Sequence, residues 1–140
     1  MLVVLVVIGL AMGLVIARGP QRSPTVELRG AAADVARTLR GARGQAIASD
    51  RPVLVAVDPA RHAIGVDGGT ARVLPRQISL VVAGGVTSVA KSGQRVGGIR
   101  FAPDGSASGG TIELANPQQR IDVAVEWLTG RVSLRNVPRG

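Results

Sequence analysis

Hydrophobic and polar positions divide this chain into three stretches, each with its own period. Leu2 through Ala17 is an unbroken apolar run without a charge. From Arg18 onward, charged and turn residues recur every few positions, and no second apolar run approaches membrane-spanning length. Up to residue 50 the apolar positions Leu28, Ala32, Val35, Leu39, Ala42 and Ala46 alternate steps of four and three, which places them on one stripe of a helix. Arg29, Arg37, Arg40 and Arg43 largely occupy its other faces. The stripe predicts a helix lying on a sheet of its own domain rather than a coiled-coil seam, because three of the six stripe residues are Ala.

From Arg51 the period changes to two. Val53, Val55 and Val57 alternate with their neighbours up to Asp58-Pro59; Ile64 and Val66 precede Asp67-Gly68-Gly69; Ile78 to Val82 runs to Gly84-Gly85. Ile99 and Phe101 lead into Pro103-Asp104-Gly105, and Ile112 and Leu114 follow Gly109-Gly110. The clearest strand comes last. Ile121, Val123, Val125 and Trp127 share one face, Asp122, Ala124 and Glu126 the other, and Thr129-Gly130 turns the chain into Val132 and Leu134. This predicts an α+β fold in which a long N-terminal helix packs on an antiparallel β-sheet head with one face buried. The expected division is a transmembrane helix over 1–18, an amphipathic helix over 19–50 with breaks at Gly19-Pro20 and Pro24, and a head over 51–140. Trp127, on the face of Ile121, Val123 and Val125, is expected in the core; the competing reading makes it an exposed anchor for a partner.

The first run reads as a retained anchor rather than a cleaved signal peptide, since no charge precedes Leu2 and Val15-Ile16-Ala17-Arg18 is a poor cleavage sequence. Leu2, Leu5, Ile8, Gly9, Gly13 and Ile16 are its anchoring residues, with Gly9 and Gly13 in a GxxxG spacing that lets membrane helices approach closely. The net charge of +8, from 16 Arg, one Lys and 9 acids, favours anionic partners without naming one. Nucleic acid is disfavoured, because Trp127 and Phe101 are the only aromatics available for stacking. Cysteine is absent, so no disulfide or thiolate metal site is expected.

Catalytic chemistry finds little support. His62, the only histidine, follows Pro59-Ala60-Arg61 in an expected surface turn. Asp122 and Glu126 lie two strand steps apart on the expected solvent face, a spacing that suits a wetted edge better than a general acid and base. Gly105-Ser106-Ala107-Ser108-Gly109-Gly110 lacks the Gly-Lys-Ser/Thr of a phosphate loop and reads as a hairpin loop. Asp58, Asp67 and Asp104 lack the spacing of a calcium loop. No enzymatic activity, cofactor, metal or small-molecule substrate is therefore expected.

The order of these elements resembles the type IV pilin-like proteins, and within them the GspH/FimT-type family of H-type minor pseudopilins of type II secretion. Met1 to Leu10 looks like the part of a pilin helix that follows the prepilin peptidase motif. Leu39-Arg-Gly-Ala-Arg43-Gly-Gln45-Ala46-Ile47 resembles the family's "LrxARxxAi" at the end of the long helix. Phe101-Ala-Pro103-Asp104-Gly105-Ser106-Ala-Ser108-Gly109-Gly110 and then Trp127-Leu-Thr129-Gly130-Arg131-Val132 resemble its late glycine-rich hairpin and terminal "TGRv" strand. The resemblance implies a structural subunit of the inner membrane, with a single-pass helix that packs into a filament and a periplasmic head. Its partners would be other major and minor pseudopilins and inner-membrane secretion components. Asp104, Gly105, Ser106, Ser108, Gly109 and Gly110 are then the expected interaction loop. The prepilin peptidase site is absent from this chain and is expected upstream of Met1. Arg18 and Arg22, read alone by the positive-inside rule, would place the head in the cytoplasm; the resemblance places it in the periplasm, and that reading is followed. The alternative is a minor pilin of a type IV pilus, possibly DNA-binding through Arg131, Arg135 and Arg139.

Overall fold

The computed structural model describes residues 1–18, 23–89, 93 and 95–138. Gly19-Pro20, Arg22 and Arg139 lie outside the described residues. Helix α1 covers Leu2–Arg18 and helix α2 covers Pro24–Ser49. Proline opens α2, where its missing N–H would be unpaired in any case. Among the described residues nine strands follow: β1 Val53–Asp58, β2 Ala63–Val66, β3 Arg72–Val73, β4 Ser79–Ala83, β5 Val86–Val89, β6 Arg95–Phe101, β7 Gly110–Ala115, β8 Gln119–Val125 and β9 Val132–Pro138.

The head holds two antiparallel sheets, where the sequence suggested one. Their strand orders are β3-β2-β1-β6-β5 and β4-β7-β8-β9. The chain leaves the second sheet after β4 and enters the first at β5, and Gly84-Gly85 makes the crossing. The α+β class holds, and α2 touches strands of both sheets. All six stripe residues, Leu28, Ala32, Val35, Leu39, Ala42 and Ala46, are buried, joined by Ala31 and Ala36. So many alanines bring the helix backbone close to the sheets, where it meets Val53, Val55 and Val57 of β1 and Ile121, Val123 and Val125 of β8 in one core. Phe101, Ile99, Ile112 and Leu114 complete its centre with no exposed surface.

The N-terminal end of α2 is fixed by Asn116 in the β7–β8 turn. Its Oδ1 accepts from the Gln118 and Gln119 amides at 2.9 and 2.7 Å, and its Nδ2 donates to the Pro24 carbonyl at 3.1 Å. A buried amide partnered in this way holds the helix start against the sheet without leaving a polar group unpaired.

The described side chains of α1 contribute nothing to this core. Every large apolar side chain described along it is more than half exposed. Its 17 residues make about 25 Å of helix, against roughly 30 Å of bilayer hydrocarbon. Among the described residues, no helix is long and apolar enough to cross a membrane. Because the core closes without α1, a fragment beginning at Ser23 is expected to be monomeric and to melt cooperatively, read by size exclusion and circular dichroism. Aggregation of that fragment would place α1 within the head's packing.

Candidate partner-binding site at the end of the head

At the C-terminal end of α2, three segments far apart in sequence meet around one side chain. The Arg43 Nε donates to the carbonyls of Gly105 and Thr129, both at 3.1 Å, so a single guanidinium holds the β6–β7 loop and the β8–β9 turn. One turn earlier, Arg40 Nη2 donates to the Val132 carbonyl at 3.2 Å. Gly105 and Gly130 both have positive φ, 90° and 67°. A Cβ on Gly130 would run into the Gly105 carbonyl oxygen and come within 2.9 Å of the Arg43 Nε, so glycine is needed there for space as well as for conformation. Three of the stretches that carry the family resemblance, residues 39–47, 101–110 and 127–132, are thus the three parts of one joint, and residues 1–10 lie apart, at the start of α1.

The expected interaction loop is tightly bonded. The Ala102 amide donates to the Ser106 carbonyl at 2.8 Å, the Gly105 amide to the Ala102 carbonyl at 3.0 Å, and the Ser108 amide to the Arg100 carbonyl at 2.8 Å. Asp104 and Ser108 are exposed, Ser106 and Gly110 half-buried, and Gly105 and Gly109 buried. The Ser106 hydroxyl and amide both donate to Asp104 Oδ1, at 2.6 and 3.0 Å. The hydroxyl first, and then the amide, hold the Asp104 carboxyl below the ordinary aspartate range. A depressed native pKa means that the contribution is present above the unfolded-state value and lost as pH falls through the native one. An NMR titration is expected to place Asp104 below an ordinary aspartate, and Ser106→Ala should move it up.

Trp127 is not in the core. It is 66% exposed, and its neighbour Leu128 is 62% exposed. The strand period ends at Val125, because the Glu126 amide donates to the Arg131 carbonyl and the Gly130 amide to the Glu126 carbonyl, closing a turn before Trp127 can join the inner face. The Trp127 carbonyl accepts from the Ala107 amide at 2.8 Å, and its Cβ lies against Gly109, so the backbone is anchored while the indole faces outward. Trp127→Ala is therefore expected to change unfolding free energy by about 0.5 kcal/mol or less, against about 3–5 kcal/mol for a buried Trp. As the only tryptophan, it gives its own control: native fluorescence should show a water-exposed, readily quenched indole.

Between this turn and α2 runs a shallow cleft lined by Arg40, Arg43, Glu126, Thr129, Arg131 and Val132. It holds three guanidinium groups and one carboxylate. Leu128 and the clamping role of Arg43 were not visible in the sequence reading; the Thr129-Gly130 turn signal, two residues after Trp127, was the available hint that the strand stops early.

The remaining candidates lie apart. His62 occupies the β1–β2 turn, half-buried, with its Nδ1 buried and unpartnered among the described residues. Asp122 takes Arg120 on both carboxylate oxygens, at 2.7 and 3.0 Å, and Arg120 reaches Glu113 across the sheet at 3.0 Å. The hydrogen bond that Arg120 donates to Asp122 is the main cause that raises the Arg120 pKa. Glu126 falls beyond the end of β8, so it does not pair with Asp122 on one strand face. Among the described residues, no three His, Cys, Asp or Glu side chains gather as a metal site.

Comparison with known proteins agrees with this architecture. The family model for type II transport protein GspH matches residues 31–129. Type II secretion system protein H of Xanthomonas campestris pv. campestris is 34% identical over 132 residues, covering 94% of this chain and 77% of that protein. The minor pseudopilin EpsH from the type 2 secretion system of Vibrio cholerae shares the fold with a TM-score of 0.60 at 16% identity, over 81% of this chain and 98% of EpsH. The type IV minor pilin FimU of Pseudomonas aeruginosa shares it at 0.58 and 16% identity, over 78% of this chain and 88% of FimU. The two sheets under a long helix have the fold of these structures, and the family match makes the chain a pilin-like protein. Within that class, the chain belongs to the GspH family, the minor pseudopilins of type II secretion.

Proposed function

We propose that α1 holds this chain in the bacterial inner membrane with its head in the periplasm, and that α1 and the head together build it into the pseudopilus beside the other major and minor pseudopilins. Its role is structural, not enzymatic. The observation that carries this reading is the bare apolar surface of α1. Leu2, Leu5, Ile8 and Ile16 all lie uncovered while the head's core is complete without them, so lipid or neighbouring helices must supply the burial. Gly9 and Gly13 leave open space on that helix for a neighbour's backbone. The same helix that suits storage in lipid then suits packing in a filament core, and the Asp104 to Gly110 loop, held firmly by Arg43, offers a rigid contact at the far end of the head. Membrane fractionation in the native host tests this. The protein is expected to stay with the inner membrane through an alkaline wash, and its head to become protease-sensitive once the outer membrane is opened. A freely soluble protein, or a head shielded until the inner membrane is broken, would contradict it.

A further inference from the structure

The end of the head sets an exposed apolar pair beside a cluster of cations. The Trp127 and Leu128 side chains stand side by side in solvent on a turn whose backbone is fixed by Arg43, Ala107 and Gly109. Next to them, Arg40, Arg43 and Arg131 line one cleft with Glu126 as its only acid. Arg40 and Arg43 donate to neutral backbone carbonyls, which orient the guanidinium groups without cancelling their charge, and Arg131 takes part in none of the described ion pairs. A rigid Trp and Leu beside uncompensated arginines has the composition of an interface hot spot. Covering those cations with an apolar surface would strip them of water without return, so the surface that docks here must bring carboxylates.

We infer that this turn and cleft grip an acidic face on the head of a different pilin-like subunit, with Trp127 and Leu128 filling an apolar pocket and Arg131 meeting carboxylates at its rim. The inference rests on the reading of this chain as an assembling pseudopilin. A second copy is a poor occupant: it carries the same net charge of +8 and presents the same cations, and four of its nine acids, Asp34, Asp58, Glu113 and Asp122, already sit in ion pairs within the fold. A nucleic acid is disfavoured, since one indole is no stacking platform for a strand and Leu128 and Glu126 have nothing to offer phosphates.

The test uses the full-length chain in detergent and, one at a time, the other full-length pilin-like subunits encoded with it. One with an acidic head is expected to bind. Trp127→Ala and Arg131→Glu should each weaken that binding at least tenfold while the unfolding midpoint stays in place, and a carboxylate-to-Lys change on the partner should restore binding to the Arg131→Glu chain. Wild-type affinity in both variants would overturn the inference and leave the assembly reading standing. Loss of binding without charge-swap rescue would overturn it as well, as would displacement of the subunit by duplex DNA. If the wild-type chain binds none of these subunits, the assembly reading fails together with the inference.

Discussion

Phe101→Ala is expected to lower the unfolding free energy by about 3–5 kcal/mol, a large part of the roughly 5–15 kcal/mol that a domain of this size possesses. Phe101 is the largest fully buried side chain and closes β6 beside Val53 of β1. Alanine would remove most of that burial and leave a cavity among β-branched neighbours such as Val53, Val55 and Ile99, whose stiff rotamers limit collapse. The residue also bridges Ala107, so the loop that Arg43 holds starts from it. Denaturant melts of the head should show the midpoint shift, and the loop should become the first segment cut by protease. A small shift would mean that the two sheets do not share one core.

Gly130→Val is expected to cost about 3 kcal/mol or more, with no core atom removed. A β-branched residue at φ 67° carries backbone strain of about 1–3 kcal/mol. Its Cβ would also collide with the Gly105 carbonyl, which cannot swing aside while Arg43 holds it. Relief requires the joint between α2, the β6–β7 loop and the β8–β9 turn to open, so the hydrogen-bonded amides of Ala102, Gly105, Ala107, Ser108, Glu126 and Gly130 should lose protection from hydrogen exchange together. A wild-type midpoint with unchanged exchange would show that the loop and the turn do not touch.

These two positions mark how far the sequence could be read. The helix stripe from Leu28 to Ala46 was legible because a period of 3.6 over 19 residues leaves little choice of buried face, and all six positions are buried. The inner faces of β1, β7 and β8 were legible for the same reason at period two. Trp127 misled because alternation continues in the letters past Val125 while the backbone has already turned; only hydrogen bonds between Glu126, Gly130 and Arg131 end the strand. The division into two sheets was hidden because Arg72–Val73 is a two-residue exposed strand and Val86–Val89 is short and interrupted by Thr87 and Ser88. The role of Arg43 was hidden most completely. Its partners are carbonyls of Gly105 and Thr129, and a backbone carbonyl carries no sequence signature. The resemblance pointed at all three segments without showing that they meet.

Deletion of the gene in its host, followed by complementation with the intact reading frame, tests the assignment to type II secretion most directly. Folded proteins normally found in the medium are expected to remain in the periplasm of the deletion strain and to reappear outside on complementation, with pilus-dependent motility and DNA uptake unaffected. Unchanged export together with lost motility or DNA uptake would contradict it and make the chain a subunit of a type IV pilus.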